Sequence, residues 1–202
     1  MAEFESILRS CNPILVTLLE KTIKMTVDQH YNWLTQKKLP LSDAFRTDLV
    51  KAFAAEINAQ KSVYDLVWKV VEKVNTFLGY EDCVLYLYDK DKECLIQMAA
   101  FGEKKVTQKS ILAAIRIEPG EGIVGGVYIS GASRIIGDTT LDGNYIVDDS
   151  YRLSEIAIPI MSSGEVIGVL DSEHSTENYY TENDRIILSE VAELIATKLA
   201  EF

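Results

Sequence analysis

Five acids in the second half of the chain are the residues best placed to do chemistry. Asp171 and Glu173 stand two apart within VIGVLDSEH, and a strand's period of two turns both carboxylates to one face. Glu155 opens the alternating run before it, SEIAIPI, and Asp148 and Asp149 lie in the preceding loop. Carboxylates gathered on a pocket wall bind an amine or a cation; at an open strand end they meet only water. Both readings stand, because charged side chains are seldom buried without a partner. Tyr86 on an earlier strand and Tyr145 in the loop complete the candidate ligand-binding set.

Other motifs carry less chemistry. Gly120, Gly122, Gly125 and Gly126 lie in GEGIVGG, and a glycine-rich turn before a helix can offer N–H groups to phosphate. A P-loop would end in Gly-Lys-Ser/Thr and a dinucleotide site needs a βαβ setting, and neither is present. The stretch is either a tight turn into a short helix packed on the sheet or a pocket lining. His30 and His174 are the only histidines, and neither CxxC nor HExxH occurs, so no metal or cofactor is expected. Both histidines read as surface residues. Of the three cysteines, Cys11, Cys83 and Cys94, the last two fall on adjacent strands. A turn at Lys90-Asp91 puts Cys94 opposite Leu87 and Cys83 opposite Met98, too far apart to bridge. Free thiols fit a reducing compartment.

The elements that must hold these residues follow from the hydrophobic period. Asn12-Pro13 starts a helical stripe running to about Gln36, and Ser42 caps a second helix. Another begins at Ser62, with Val63, Val67, Val70, Val74 and Phe77 on one stripe, and ends at Gly79. The period then becomes two. Val84, Tyr86 and Tyr88 face one way and Cys83, Leu85 and Leu87 the other, with a return strand to Phe101. Ser163-Gly164 makes a second hairpin, and Thr181 with Asp184 forms a capping-box pattern for the last helix. Consecutive hairpins flanked by helices predict an α+β fold with an antiparallel sheet. Residues 1–60 read as an N-terminal helical extension and 61–202 as the domain. The final helix reaches the chain end without a Gly or Asn stop, as expected of a fragment or of a free-standing sensor with a partner.

Composition narrows the class. The chain has 202 residues, 48% hydrophobic and 25% charged, with a formal charge of −11. No clustered basic surface exists for nucleic acid. No apolar run approaches the roughly 18 residues that span a bilayer, and the acidic N-terminus is no secretory signal. A cytoplasmic protein is expected.

The order of GEGIVGG, RIIGD, SEIAIPIMSSGEVIGVLDSEH and the capped last helix resembles the GAF domain. Gly120, Gly122, Gly125, Ile135, Asp138, Glu155, Pro159, Gly164, Gly168, Val169, Leu170 and Asp184 carry the resemblance. A PAS domain shares the outline, but the glycine segment and the last strand favour GAF. The closest likeness is to GAF domains feeding bacterial sensor kinases. It implies a non-catalytic regulatory domain that binds an unidentified small molecule, relays the event through flanking helices at a homodimer interface, and acts on a downstream kinase or regulator.

The resemblance also tests narrower versions. The branch that reduces free methionine sulfoxide shares IRI (115–117), SEI and VLD, but its thiol positions hold Ala114, Val124 and the neighbourhood of Val147-Asp148. The nucleophile is absent and no enzyme is expected. Cyclic-nucleotide binders would carry Asn-Lys where Glu173-His174 stand, and no Cys-His pair exists to hold a bilin. The alternative to a sensor is a structural or dimerisation module whose pocket is filled by Met98, Phe101, Ile111, Leu112 and Tyr145.

Overall fold

The structure, a computed structural model, describes residues 42–102, 105–107, 110–111, 114–147 and 150–202, with backbone alone for 105–107. The helix expected over 12–36, together with Cys11 and His30, lies outside the described residues.

Helix α1 (Asp43–Asn58) begins where the Ser42 side chain accepts from the Phe45 N–H at 3.2 Å. Helix α2 (Val63–Leu78) begins likewise, with Ser62 Oγ accepting from the Asp65 N–H at 3.1 Å. It stops at Gly79, whose φ of 70° is strain-free only without a Cβ.

Strands β1 (Cys83–Asp89) and β2 (Cys94–Phe101) pair antiparallel, but not in the expected register. Cys94 stands opposite Asp89 and Cys83 opposite Phe101. The turn is longer than two residues, with Glu93 at φ 52°, and a bulge between Leu85 and Tyr86 shifts the ladder again. Both cysteines are buried and neither forms a disulfide.

Short strands β3 (Lys105–Thr107) and β4 (Ser110–Ile111) form their own ladder. Strand β5 (Arg116–Ile117) joins β2, α3 (Gly122–Ser130) follows, then β6 (Arg134–Ile136) and a 3₁₀ turn over Thr139–Leu141. Strands β7 (Ser154–Ser162) and β8 (Glu165–His174) form the long hairpin, turning through Ser163 and Gly164 at φ 51° and 85°. The last helix is α4 (Glu182–Leu199). The main sheet runs β5-β2-β1-β8-β7-β6 with antiparallel neighbours throughout, so the class is the α+β one expected.

The alternation in β1, β7 and β8 divides the molecule into two apolar layers. Cys83, Leu85, Ile156, Ile158 and Leu170 face α2 and α4, where Leu66, Val70, Val74, Leu188, Val191 and Ile195 complete the larger core. Val84, Tyr86, Leu95, Ala157 and Val169 face the other way, onto Ile123, Val124 and Val127 of α3. Each fully buried aliphatic side chain contributes roughly 1.5–3 kcal/mol, so the helix layer holds most of the stability.

Two further contacts shape that layer. Asp184 is 1% exposed and accepts from the Thr181 N–H at 2.7 Å, the Thr181 hydroxyl at 2.6 Å and the Tyr80 phenol at 2.6 Å. The predicted capping box thereby also ties α4 to the entry of β1. Helix α1 buries Leu49, Phe53 and Ile57 in the same core, with Arg46 paired to Glu190 at 3.4 Å and Phe53 edge-on to Phe77 at 5.0 Å. Part of α4 that the sequence offers to a second subunit therefore packs on α1 of its own chain.

Candidate functional site

On the face away from α2 and α4, the sheet and the start of α3 enclose a cavity of about 230 Å³. Its floor is built by register. Glu155 on β7 is directly opposite Glu173 on β8, and Asp171 lies between Ala157 and Val84. Because paired residues share a face, the three carboxyl groups and Tyr86 meet at one wall, each acid 4% exposed.

Ile115, Arg116 and Ile117 border one side, and Ile146 and Val147 another. The remaining wall is Glu121 to Val124, the beginning of α3. Both readings of the glycine stretch hold. Gly122 lines the cavity at φ 66°. Gly125 lets the helix close on its own turn, where a Cβ would lie 2.5 Å from the Glu118 carbonyl.

Of the expected site residues, Tyr86, Glu155, Asp171 and Glu173 line the cavity. Tyr145 does not line it but reaches Glu173 from the loop, hydrogen-bonding that carboxylate while its oxygen accepts the Arg152 N–H at 3.1 Å. Burial first, and then the Glu173 charge, hold its phenol well above the usual range. Asp148 and Asp149 lie outside the described residues, although their neighbours Ile146 and Val147 reach the cavity. Sequence reasoning missed Arg116, Glu121 and the flanking isoleucines as lining residues. A two-residue strand such as β5 is too short to show a period.

His174 is not the surface residue expected. Its side chain is 12% exposed, stacked on Tyr179, with Nε2 2.8 Å from Glu81 and Nδ1 accepting the Thr176 N–H at 2.9 Å. Burial pushes its pKa below the ordinary value; Glu81 opposes that shift and Arg152 adds to it. Tyr180 is structural, as expected: it is buried and shares a 2.7 Å hydrogen bond with Ser172, which also donates to the Asp82 carbonyl.

Of the residues expected to fill the cavity, Met98 and Phe101 pack against the helix-side core and Ile111 touches both layers, while Leu112 lies outside the described residues. Among the described residues neither cysteine lines the cavity, and no group of three or more His, Cys, Asp or Glu could hold a metal. No described helix is long and apolar enough to cross a membrane.

A six-stranded antiparallel sheet, backed by helices on one face and hollowed on the other, is the outline expected of a GAF fold. Residues 60–200 match the GAF domain family, and the chain belongs to that family. It is 34% identical over 89 residues to protein YtsP of Bacillus subtilis, a match covering 44% of this chain and 55% of that protein. The chain spans about half the length of the curated relatives it matches. Its fold is similar to the GAF domain of a phosphoenolpyruvate-protein phosphotransferase from Coxiella burnetii, with TM-score 0.70, 21% identity, and 79% of this chain and 96% of that one covered. It is also similar to free methionine-R-sulfoxide reductase from Neisseria meningitidis in complex with its substrate: TM-score 0.69, 23% identity, 80% and 93% covered. At these identities the likeness speaks to the fold alone.

Proposed function

We propose that this chain is a non-catalytic sensory GAF domain whose cavity binds a small amine-bearing molecule. One observation carries the reading: Glu155, Asp171 and Glu173 converge on a single hollow. At about 230 Å³ the hollow sits just below the roughly 300–1,000 Å³ range of drug-sized sites, which favours a ligand of metabolite size. Carboxylates in a low-dielectric wall attract an ammonium group more strongly than they would in water.

The relay runs through β8. Its odd-numbered residues, Asp171 and Glu173, face the ligand, while Leu170 and Ser172 face the helices, Ser172 through the hydrogen bond to Tyr180 just before α4. A ligand that draws the carboxylates together thus biases how α4 seats on the sheet. The output is a downstream kinase or regulator in the bacterial cytoplasm, reached through a homodimer that uses surfaces α1 leaves open. Tyr64 and Phe202, 53% and 50% exposed, belong to that surface.

The sulfoxide-reducing fold neighbours raise an enzymatic reading, which the absence of a thiol at Ala114, at Val124 and in the neighbourhood of Val147-Asp148 disfavours. A thermal-shift screen against primary amines, amino acids, nucleotides and organic acids tests the proposal. Amines should raise the melting temperature in wild type and not in Glu155→Gln/Asp171→Asn. A response confined to nucleotides or organic acids would overturn it. Sedimentation showing only monomer at micromolar concentration would remove the dimer.

A further inference from the structure

Three buried carboxyl groups on one wall oppose their own ionisation. Glu155, Asp171 and Glu173 are each 4% exposed and line one hollow. Burial and like charge nearby both favour taking up a proton, and a neutral carboxyl group holds an ammonium ion less well than a carboxylate does. Hydrogen bonds donated to the charged form work the other way.

Tyr145 donates such a bond to Glu173 from outside the lining of the hollow. The direction of its bonds is forced. The Arg152 backbone N–H can only donate, and the phenol oxygen accepts it at 3.1 Å. The single phenol hydrogen is then left for the Glu173 carboxylate, and burial together with the Glu173 charge keeps it on the phenol.

The tyrosine is anchored on both sides. Its backbone N–H donates to the Asp142 carbonyl at 3.1 Å, and Asp142 is held to Arg134 of β6 at 2.7 Å. Its ring packs with the cavity-side layer and meets Tyr151 edge-on at 5.5 Å. Behind the phenol, the Arg152 carbonyl accepts from the Thr139 hydroxyl, and the Thr139 N–H donates to the Leu153 carbonyl at 3.1 Å. The donor is thus pre-organised toward its acid.

Resting on the amine-binding reading above, we infer that Tyr145 is a positioning residue whose phenol holds the Glu173 carboxylate ionised and aimed into the cavity, without touching the ligand itself. The other titratable and charged groups around that carboxylate are Glu155 across the hairpin, Asp171 on its own strand, Tyr86 on β1, Arg152 in the loop, and Arg116 and Glu121 at the cavity border. All of them stay in place in Tyr145→Phe, which removes one oxygen and keeps the ring.

Calorimetric titration with butylamine should show Tyr145→Phe binding roughly tenfold more weakly than wild type, the worth of a hydrogen bond to a charged group. A loss of packing alone would also weaken binding, so the second readout is the side-chain carboxyl carbon resonance of Glu173, followed between about pH 8 and pH 4. With the donor gone, that carboxyl group should take up its proton at higher pH in Tyr145→Phe than in wild type. If the variant fails to fold, 3-fluorotyrosine at position 145 of the otherwise wild-type chain serves instead. Its fluorine resonance should move when butylamine is added and as Glu173 titrates. Equal affinity, an unchanged Glu173 titration in the variant, or an unmoved fluorine resonance overturns this inference alone. Failure of wild type to bind butylamine overturns the amine-binding reading, and this inference with it.

Discussion

Glu155 and Glu173 stand directly across from one another on β7 and β8, and each is 4% exposed. An ammonium ion between them would find two carboxylate acceptors at once. Glu155→Gln should therefore weaken amine binding by at least tenfold. Calorimetric titration of wild type and variant, with circular dichroism to show that the variant is folded, checks it. A variant that binds equally well contradicts the account.

Asp184 makes the opposite case, a buried acid committed to structure. Its bonds to Thr181 and to the Tyr80 phenol join positions 104 residues apart. Asp184→Ala removes an N-terminal cap and the buried acceptor of the Tyr80 phenol, for a loss of about 2–4 kcal/mol. Denaturant titration should show the midpoint fall. Tyr80→Phe should cost less than Asp184→Ala, because the cap survives.

Adjacent glycines in α3 should respond in opposite directions. At Gly125 a Cβ would meet the Glu118 carbonyl at 2.5 Å, whereas at Gly126 nothing lies within 4 Å. Gly125→Ala forces the turn apart and should destabilise by about 1–3 kcal/mol, also displacing the cavity wall. Gly126→Ala should stabilise by about 0.5–1 kcal/mol through helix propensity. Thermal melts of the two variants read the difference in sign.

His174 predicts a pH dependence. Burial, only partly offset by Glu81, lowers its pKa in the folded state below the ordinary value near 6.5. The unfolded chain then binds the proton more readily, so this stability is fully present above the unfolded value. It is lost as pH falls below about 6.5 toward the folded value, and the loss levels off beneath both. Melting temperature should drop between about pH 7.5 and 5.5 more steeply in wild type than in His174→Gln. Parallel curves would show that His174 contributes nothing.

Much of the fold was legible because local rules decide it. Ser42, Ser62 and Thr181 cap helices wherever they are followed by a helical stripe, and Gly79 ends one because a side chain there would be strained. The period of two in VLDSEH placed Asp171 and Glu173 on one face before any contact was known. What escaped was non-local. The β1–β2 register depended on a bulge and a left-handed Glu93, and a slip there reassigns cysteine partners and sets Gln97 beside Tyr86. The surroundings of His174 depend on Glu81 and Tyr179, distant or adjacent residues that no period ranks.

By itself the amino-acid sequence determined the helices that begin at Ser42, Ser62 and Thr181, the two long hairpins, the family and the acids worth attention, since these follow from neighbours a few residues apart. Only the tertiary structure decided that Glu155 joins Asp171 and Glu173 at one wall, that Tyr145 ties its loop to Glu173, and that α1 takes up part of α4. Those outcomes turn on which strand edges meet and which apolar faces are covered, and that is a competition among the whole chain's surfaces.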